Sequence, residues 1–257
     1  MKVISKPSLY LFIIFCSIWL SQAACGQKKK AQTQEANDPE TVSEIYQNKP
    51  SQSPDGTGKY YMEREIAQVM GHTGAEWLER PEREQEERTD ALLEALSLQK
   101  DDVVADIGAG TGYFTFRMSP LVPQGKVLAV DIQQEMIDLL ETNKVKNKAP
   151  NVETVLGTFS NPKLPAGSVD LVLMVDAYHE FSHPREMMEV IATALKPGGR
   201  VALVEYRAED PNVPIRPRHK MTVAQAQKEM EAVGLKWIQT SNVLPQQHLM
   251  FFQKPKD

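Results

Sequence analysis

Val103-Val104-Ala105-Asp106-Ile107-Gly108-Ala109-Gly110-Thr111-Gly112 is a short apolar run that stops at three alternate glycines. Such a run reads as a buried strand of a parallel sheet passing into a tight turn, with a helix starting near Tyr113. Glycine lets the turn bend sharply and brings the backbone close to a ligand. The next helix start offers free N–H groups at the positive end of its dipole. Asp106 stands before the first glycine, so the pattern is Asp-x-Gly-x-Gly-x-Gly. A dinucleotide fingerprint would be Gly-x-Gly-x-x-Gly under a pyrophosphate. A carboxylate at this point repels a pyrophosphate and favours a ligand with positive charge, an ammonium or a sulfonium. Asp106, Gly108, Gly110 and Gly112, with Tyr113 at the helix start, are therefore candidate ligand-binding residues.

Working outward, strands and helices alternate. Lys126 to Asp131, Val152 to Leu156, Val169 to Val175 and Arg200 to Tyr206 read as further strands. Gln133 to Lys146 reads as a helix, and His183-Pro184 opens another that stops at Lys196-Pro197-Gly198-Gly199. Thr222 and Gln225 form a capping box for a helix ending near Gly234. Leu235 to Thr240 and His248 to Gln253 have no helix between them and read as an antiparallel hairpin. The expected fold class is α/β, a doubly wound, mostly parallel seven-stranded sheet with an antiparallel C-terminal hairpin. Ligands bind such sheets beyond the carboxyl ends of the strands, where strand order reverses.

In its glycine motif and its terminal hairpin the chain resembles the class I S-adenosylmethionine-dependent methyltransferases, from about residue 85 to residue 253. The resemblance implies a Rossmann-like fold, S-adenosyl-L-methionine as cofactor and transfer of its methyl group. Asp131, at the end of the second strand, can accept hydrogen bonds from both hydroxyls of a ribose. It can equally cap the helix opening at Gln133. Ile132 beside it can cover an adenine face. Where the family often carries an acid for the adenine amino group, this chain has Thr158, followed by Phe159, which can stack on the ring. Asp176-Ala177-Tyr178-His179-Glu180-Phe181 ends the fourth strand, where the family points the methyl group. Asp176 is a cofactor-binding candidate. Tyr178, His179 and Glu180 are candidates for orienting a nucleophile or taking its proton. Alternatively, His179 and Glu180 only shape the pocket or cap a helix.

A net charge of -5 argues against nucleic acid as the main partner. The acceptor is therefore expected to be a small molecule. The sequence shows no metal-ligand spacing and no serine elbow. Both cysteines, Cys16 and Cys25, fall in the first 25 residues, so the domain has no thiol. An exported or anchored nucleoside-binding protein without turnover is the alternative function. Nicotinamide-dependent oxidoreduction is disfavoured by Asp106 and by the terminal hairpin. The sequence does not indicate an oligomeric state.

Residues 1–25 read as a targeting segment, with Lys2 and Lys6 before an apolar run shorter than the about 20 residues of a membrane span. Cleavage after Ala23, lipidation of Cys25 and an uncleaved anchor are three readings of it. All three attach or export the chain through its N-terminus, although a cytoplasmic-facing domain stays open. Residues 26–58 are polar and read as a disordered linker. Residues 59–88 read as a helical cap, in which Tyr60, Tyr61, Met62, Ile66, Val69 and Met70 suggest a short amphipathic helix. That cap is either a lid over the cleft or a side packing element, and His72 and Trp77 are its residues to test for substrate contact. Glu82 to Glu87 reads as a solvated charged face. Residues 89–257 form the domain carrying the methyltransferase resemblance. Within them, the loop 208–221 brings Arg216, Arg218, His219 and Lys220 to a lid position, either to bind an anion or as solvated surface.

Overall fold

Strands buried on both faces need a layer on each side, and the order of elements supplies both layers. The computed structural model describes residues 45–256. The targeting segment, Cys25 and the linker up to residue 44 lie outside the described residues. Three short strands come first, β1 (Tyr46–Asn48), β2 (Gly56–Tyr61) and β3 (Arg64–Ala67), then three short helices, α1 (Ala75–Leu78), α2 (Arg83–Glu87) and α3 (Thr89–Leu96). The main alternation is β4 (Val103–Ile107), α4 (Thr115–Met118), β5 (Lys126–Asp131), α5 (Gln134–Lys146), β6 (Val152–Leu156) and β7 (Val169–Val175). It continues through α6 (Pro184–Ala194), β8 (Leu195–Tyr206), α7 (Val223–Glu231), β9 (Lys236–Ser241) and β10 (Gln247–Gln253).

The large sheet has the order β6-β5-β4-β7-β8-β10-β9. Its pairings are parallel except those of β10, which runs antiparallel to both β8 and β9. Alternate residues of one strand enter different cores, as a period of two requires. Ala105, Val172 and Leu203 pack with Met188, Ile191 and Met230 of α6 and α7. Val104, Leu171 and Ala202 pack with Leu92, Met118 and Leu140 of α3, α4 and α5. The strand order reverses between β4 and β7, which places a crevice at Gly108 and Asp176. Among the described residues no helix is long and apolar enough to cross a membrane.

Two local expectations change. Where the linker and an amphipathic helix were expected, residues 46–67 form a separate three-stranded antiparallel sheet. Its hairpin closes on Met62 and Glu63, both with positive φ, between the partners Tyr61 and Arg64. That is the twist-compatible two-residue turn, built without the glycine or asparagine that would announce it. Tyr60, Tyr61 and Ile66 suit a strand, and all three are buried. The rings of Tyr46 and Tyr61 pack at a tilt of 42° with centroids 5.5 Å apart. The second change is at α2, where Arg83 and Glu87 are buried rather than solvated. The capping box at Thr222 is half formed: the Gln225 N–H donates to the Thr222 hydroxyl at 3.1 Å. The Gln225 side chain instead donates to the Met62 carbonyl and to Glu229.

Candidate functional site

A cleft of about 570 Å³ opens at the carboxyl ends of β4, β5 and β7. Gly108 and Gly110 form its floor, with φ of 75° and 56°. A Cβ on Gly110 would lie 2.7 Å from Leu78 Cδ1, so a side chain there would close the approach. Gly112 does not line the cleft; it packs the loop against Phe116 and Leu140.

Asp131 lines the cleft and is 7% exposed. Its Oδ2 accepts the Gly110 N–H at 3.0 Å and its Oδ1 accepts the Gln133 N–H at 3.0 Å. The carboxylate thus clasps the loop and closes the turn that leads into α5; it makes no hydrogen bond within the first turn of that helix. Burial raises its pKa, and the N–H groups of Gln133, Gly110 and Ile132 oppose that rise. Ile132, Thr158 and Phe159 also line the cleft, with Phe159 58% exposed on its rim.

Three candidates face elsewhere. Asp106 is buried under the loop, where it accepts the Thr115 hydroxyl at 2.6 Å and meets no cleft space. Tyr113 is buried as well, its hydroxyl 3.2 Å from that of Thr89. Tyr178 is fully buried and its hydroxyl donates to Glu229 at 2.8 Å, so it does not reach an acceptor in the cleft. The direction of a side chain at a strand end or in the turn after it is set by the layers packed around it, and these three are buried in the core.

Burial pushes the Asp106 carboxyl from 3.8 up to about 6. The folded state therefore holds this proton more tightly than the unfolded state, and stability falls as pH rises through that window. Asp106→Asn is expected to remove that fall. Relative to the natural chain it should gain up to about 3 kcal/mol at pH 7 and little at pH 4. Urea unfolding at the two pH values measures it, and equal differences at both would refute the assignment.

Asp176 does line the cleft, at a strained φ of 50°. Its Oδ2 accepts from the Gln247 amide at 2.6 Å, while its Oδ1 is buried with no partner among the described residues. Burial, with Glu87 and Glu205 nearby, raises its pKa well above the usual range, and Arg83 pulls it back. Arg83, absent from the sequence reading, reaches the same cleft from α2. Its Nε lies 2.9 Å from Glu87, its Nη1 donates to the Leu78 carbonyl, and Tyr113 lies under the guanidinium. Along the sequence this is an ordinary helical i,i+4 pair, and nothing marks it as buried.

On the same side lie His179 and Glu180, both facing the cleft. His179 Nδ1 is 2.6 Å from Glu205 Oε2, and His179 Nε2 is 3.0 Å from His219 Nδ1. Glu180 Oε1 is 3.3 Å from His219 Nδ1 and 3.8 Å from His179 Nε2. The other Glu180 oxygen accepts the Met70 N–H at 3.0 Å. Burial disfavours charge on the inner pair: it pushes His179 down to about 3 and Glu205 up to about 8. Read along the chain, His179, Glu180 and His219 have no metal-ligand spacing; the fold gathers them.

The loop 208–221 divides its basic residues. Arg216 and His219 face the cleft. Arg218 lies 2.9 Å from the buried Glu65 of β3, and Lys220 donates to the Val213 carbonyl at 2.6 Å. These two fasten the loop and are not free to bind an anion. Trp77 lines the cleft with Arg80 stacked 4.0 Å over its ring. His72 does not line it; its backbone N–H donates to Gln133 at 2.8 Å.

Residues 104–199 match the family described as a methyltransferase domain. The chain is 35% identical over 126 residues to an uncharacterized methyltransferase-like protein of Schizosaccharomyces pombe, covering 49% of this chain and 46% of that protein. It is 31% identical over 121 residues to the uncharacterized methyltransferase YcgJ of Bacillus subtilis, covering 47% of each. The chain thus spans about half the length of the curated relatives it matches. Among solved structures, a SAM-dependent methyltransferase from Aquifex aeolicus superposes with a TM-score of 0.68 at 22% identity. That alignment covers 72% of this chain and 100% of the other, and it carries the fold.

Proposed function

We propose, for a chain that carries a class I S-adenosylmethionine-dependent methyltransferase domain, that it transfers the methyl group to a small molecule held in the same cleft. The observation that carries this reading is a cleft with matched polar groups on both sides of the glycine loop. β5 and β7 flank β4 on opposite sides, which separates their tips by about 10 Å. On one side Asp131 offers carboxylate lone pairs to the two hydroxyls of a ribose. On the other, Arg83 and Asp176 line the cleft, with the Asp176 Oδ1 buried just beneath its wall and without a partner among the described residues. A nucleoside joined to an amino acid fits that arrangement, and an uncompensated buried oxygen is a reason to expect a donor there.

Asp131 would hold the ribose, and Ile132 and Phe159 would flank the base, with Thr158 at its edge. Gly108 and Gly110 would let the backbone approach. When bound, S-adenosylmethionine supplies a methyl carbon already activated by its sulfonium. What remains for the chain is to align an acceptor and exclude water. Trp77, His179, Glu180 and His219 line the cleft for that task. A cleft of about 570 Å³ supports an acceptor of small-molecule size. Export or anchoring through residues 1–25 belongs to the same proposal, and protease accessibility of the domain in intact cells tests it.

Calorimetry with S-adenosylhomocysteine is the first experiment, followed by transfer of labelled methyl to a small-molecule extract. Saturable one-to-one binding and a labelled low-mass product are expected. Absence of binding removes the proposal. Binding with no product across broad extracts would favour the nucleoside-binding alternative.

A further inference from the structure

His179, Glu180 and His219 form a second functional unit in the cleft. Each offers one ligand atom, and the three atoms form a triangle with sides of 3.0, 3.3 and 3.8 Å. A triangle of these sides has its corners about 2.0 Å from a common centre, the bond length of zinc to imidazole nitrogen and carboxylate oxygen. We propose that these residues bind a divalent first-row transition ion, zinc by preference. Its free position would take the hydroxyl or thiol of the methyl acceptor.

Three further observations fit a built site. Glu205, fully buried, faces His179 Nδ1 at 2.6 Å, which leaves Nε2 aimed at the cluster. Metal-binding histidines commonly carry such a carboxylate on their other nitrogen. The Glu205 second oxygen accepts the His179 backbone N–H at 3.2 Å, fixing backbone and ring together. The Met70 N–H holds one Glu180 oxygen and so turns the other toward the two histidines. Two imidazoles and one carboxylate are a donor set of catalytic zinc sites, which keep one position open. All three residues border the cleft, so the open position faces it.

The role in methyl transfer rests on the function proposed above. Ligation to the ion acidifies the acceptor hydroxyl or thiol, and its proton leaves to water. The acceptor lone pair then forms the bond to the methyl carbon, and the electrons of the broken carbon–sulfur bond stay on sulfur. No oxidant or reductant is involved.

The test uses the full chain, stripped with a chelator and titrated with zinc by calorimetry and with cobalt(II) by visible absorption. One ion per chain is expected, with the intense bands of four-coordinate cobalt. His219→Ala, at the partly exposed corner of the site, should weaken binding at least tenfold and abolish those bands. Its far-ultraviolet circular dichroism should match that of the natural chain, which shows that the variant is folded. Glu205→Gln should weaken the ion about tenfold to a hundredfold. No uptake of either ion, or uptake unchanged in His219→Ala, overturns the site. Calorimetry with S-adenosylhomocysteine on the same sample separates the two proposals. A chain that binds the nucleoside but no metal loses only this one. A chain that binds metal but no nucleoside keeps the site and loses its tie to methyl transfer.

Discussion

Glu229→Ala is expected to lower the unfolding free energy by about 3 to 5 kcal/mol, the cost of breaking a buried ion pair from one side. Glu229 lies on α7 and is fully buried. Its carboxylate meets Arg64 of β3 twice, at 2.7 Å through Nε and at 2.8 Å through Nη2. It also accepts the Tyr178 hydroxyl at 2.8 Å and the Gln225 amide at 2.7 Å. Burial works against the Arg64 charge, but the Glu229 carboxylate more than offsets it and holds the guanidinium above its usual value. Without that carboxylate, a buried cation and a buried hydroxyl lose their acceptor together. The small N-terminal sheet is fastened here, and Arg64 also donates to the His179 carbonyl at 3.1 Å. Glu229→Gln keeps the shape and should cost less. Arg64→Met combined with Glu229→Ala should recover much of the loss, since no unpaired charge remains. Urea unfolding measures all three, and a loss below about 1 kcal/mol in the alanine variant would contradict the account.

The second large effect is on ligand affinity. Asp131→Ala should weaken S-adenosylhomocysteine binding about a hundredfold or more. Two hydrogen bonds to an ionised acceptor are worth about 1.5 to 3 kcal/mol each, and every 1.4 kcal/mol is tenfold. The same change frees the Gly110 N–H from its 3.0 Å acceptor, so the loop loses its clasp as well. Asp131→Asn should fall between the two. Its amide can accept through one oxygen only, and the nitrogen end cannot receive the Gly110 N–H. Titration calorimetry of the three chains checks the order. Affinity of Asp131→Ala within about threefold of the natural chain would place the ribose elsewhere and remove the residue from the site.

The difference between these two residues shows how much the sequence reveals. Asp131 is legible because it closes an apolar run, lies 25 positions after Asp106 and precedes a helix. Glu229 is one of two acids on an amphipathic helix, and its partner is 165 residues away. Asp176 was legible as a strand-end acid, but its unpaired oxygen and its positive φ belong to the fold. Tyr178 follows β7, as its place in the sequence implies, but its side chain turns into the core, where Glu229 accepts its hydroxyl. The N-terminal sheet was hidden because tyrosines and isoleucine at short spacing fit a helix face or a strand equally. Its turn at Met62 and Glu63 carries no turn residue.

The sequence by itself determined the parallel sheet, the glycine turn, the terminal hairpin and the acid at the tip of β5. These depend on burial periodicity and backbone freedom, which are properties of adjacent residues. Only the tertiary structure decided which charges are buried and what they face. It turned Asp106 inward, brought Arg83 to the cleft, paired Arg64 with Glu229 and set His219 beside His179. A side chain's charge is written locally, but its desolvation and its partner are set by segments distant in the chain.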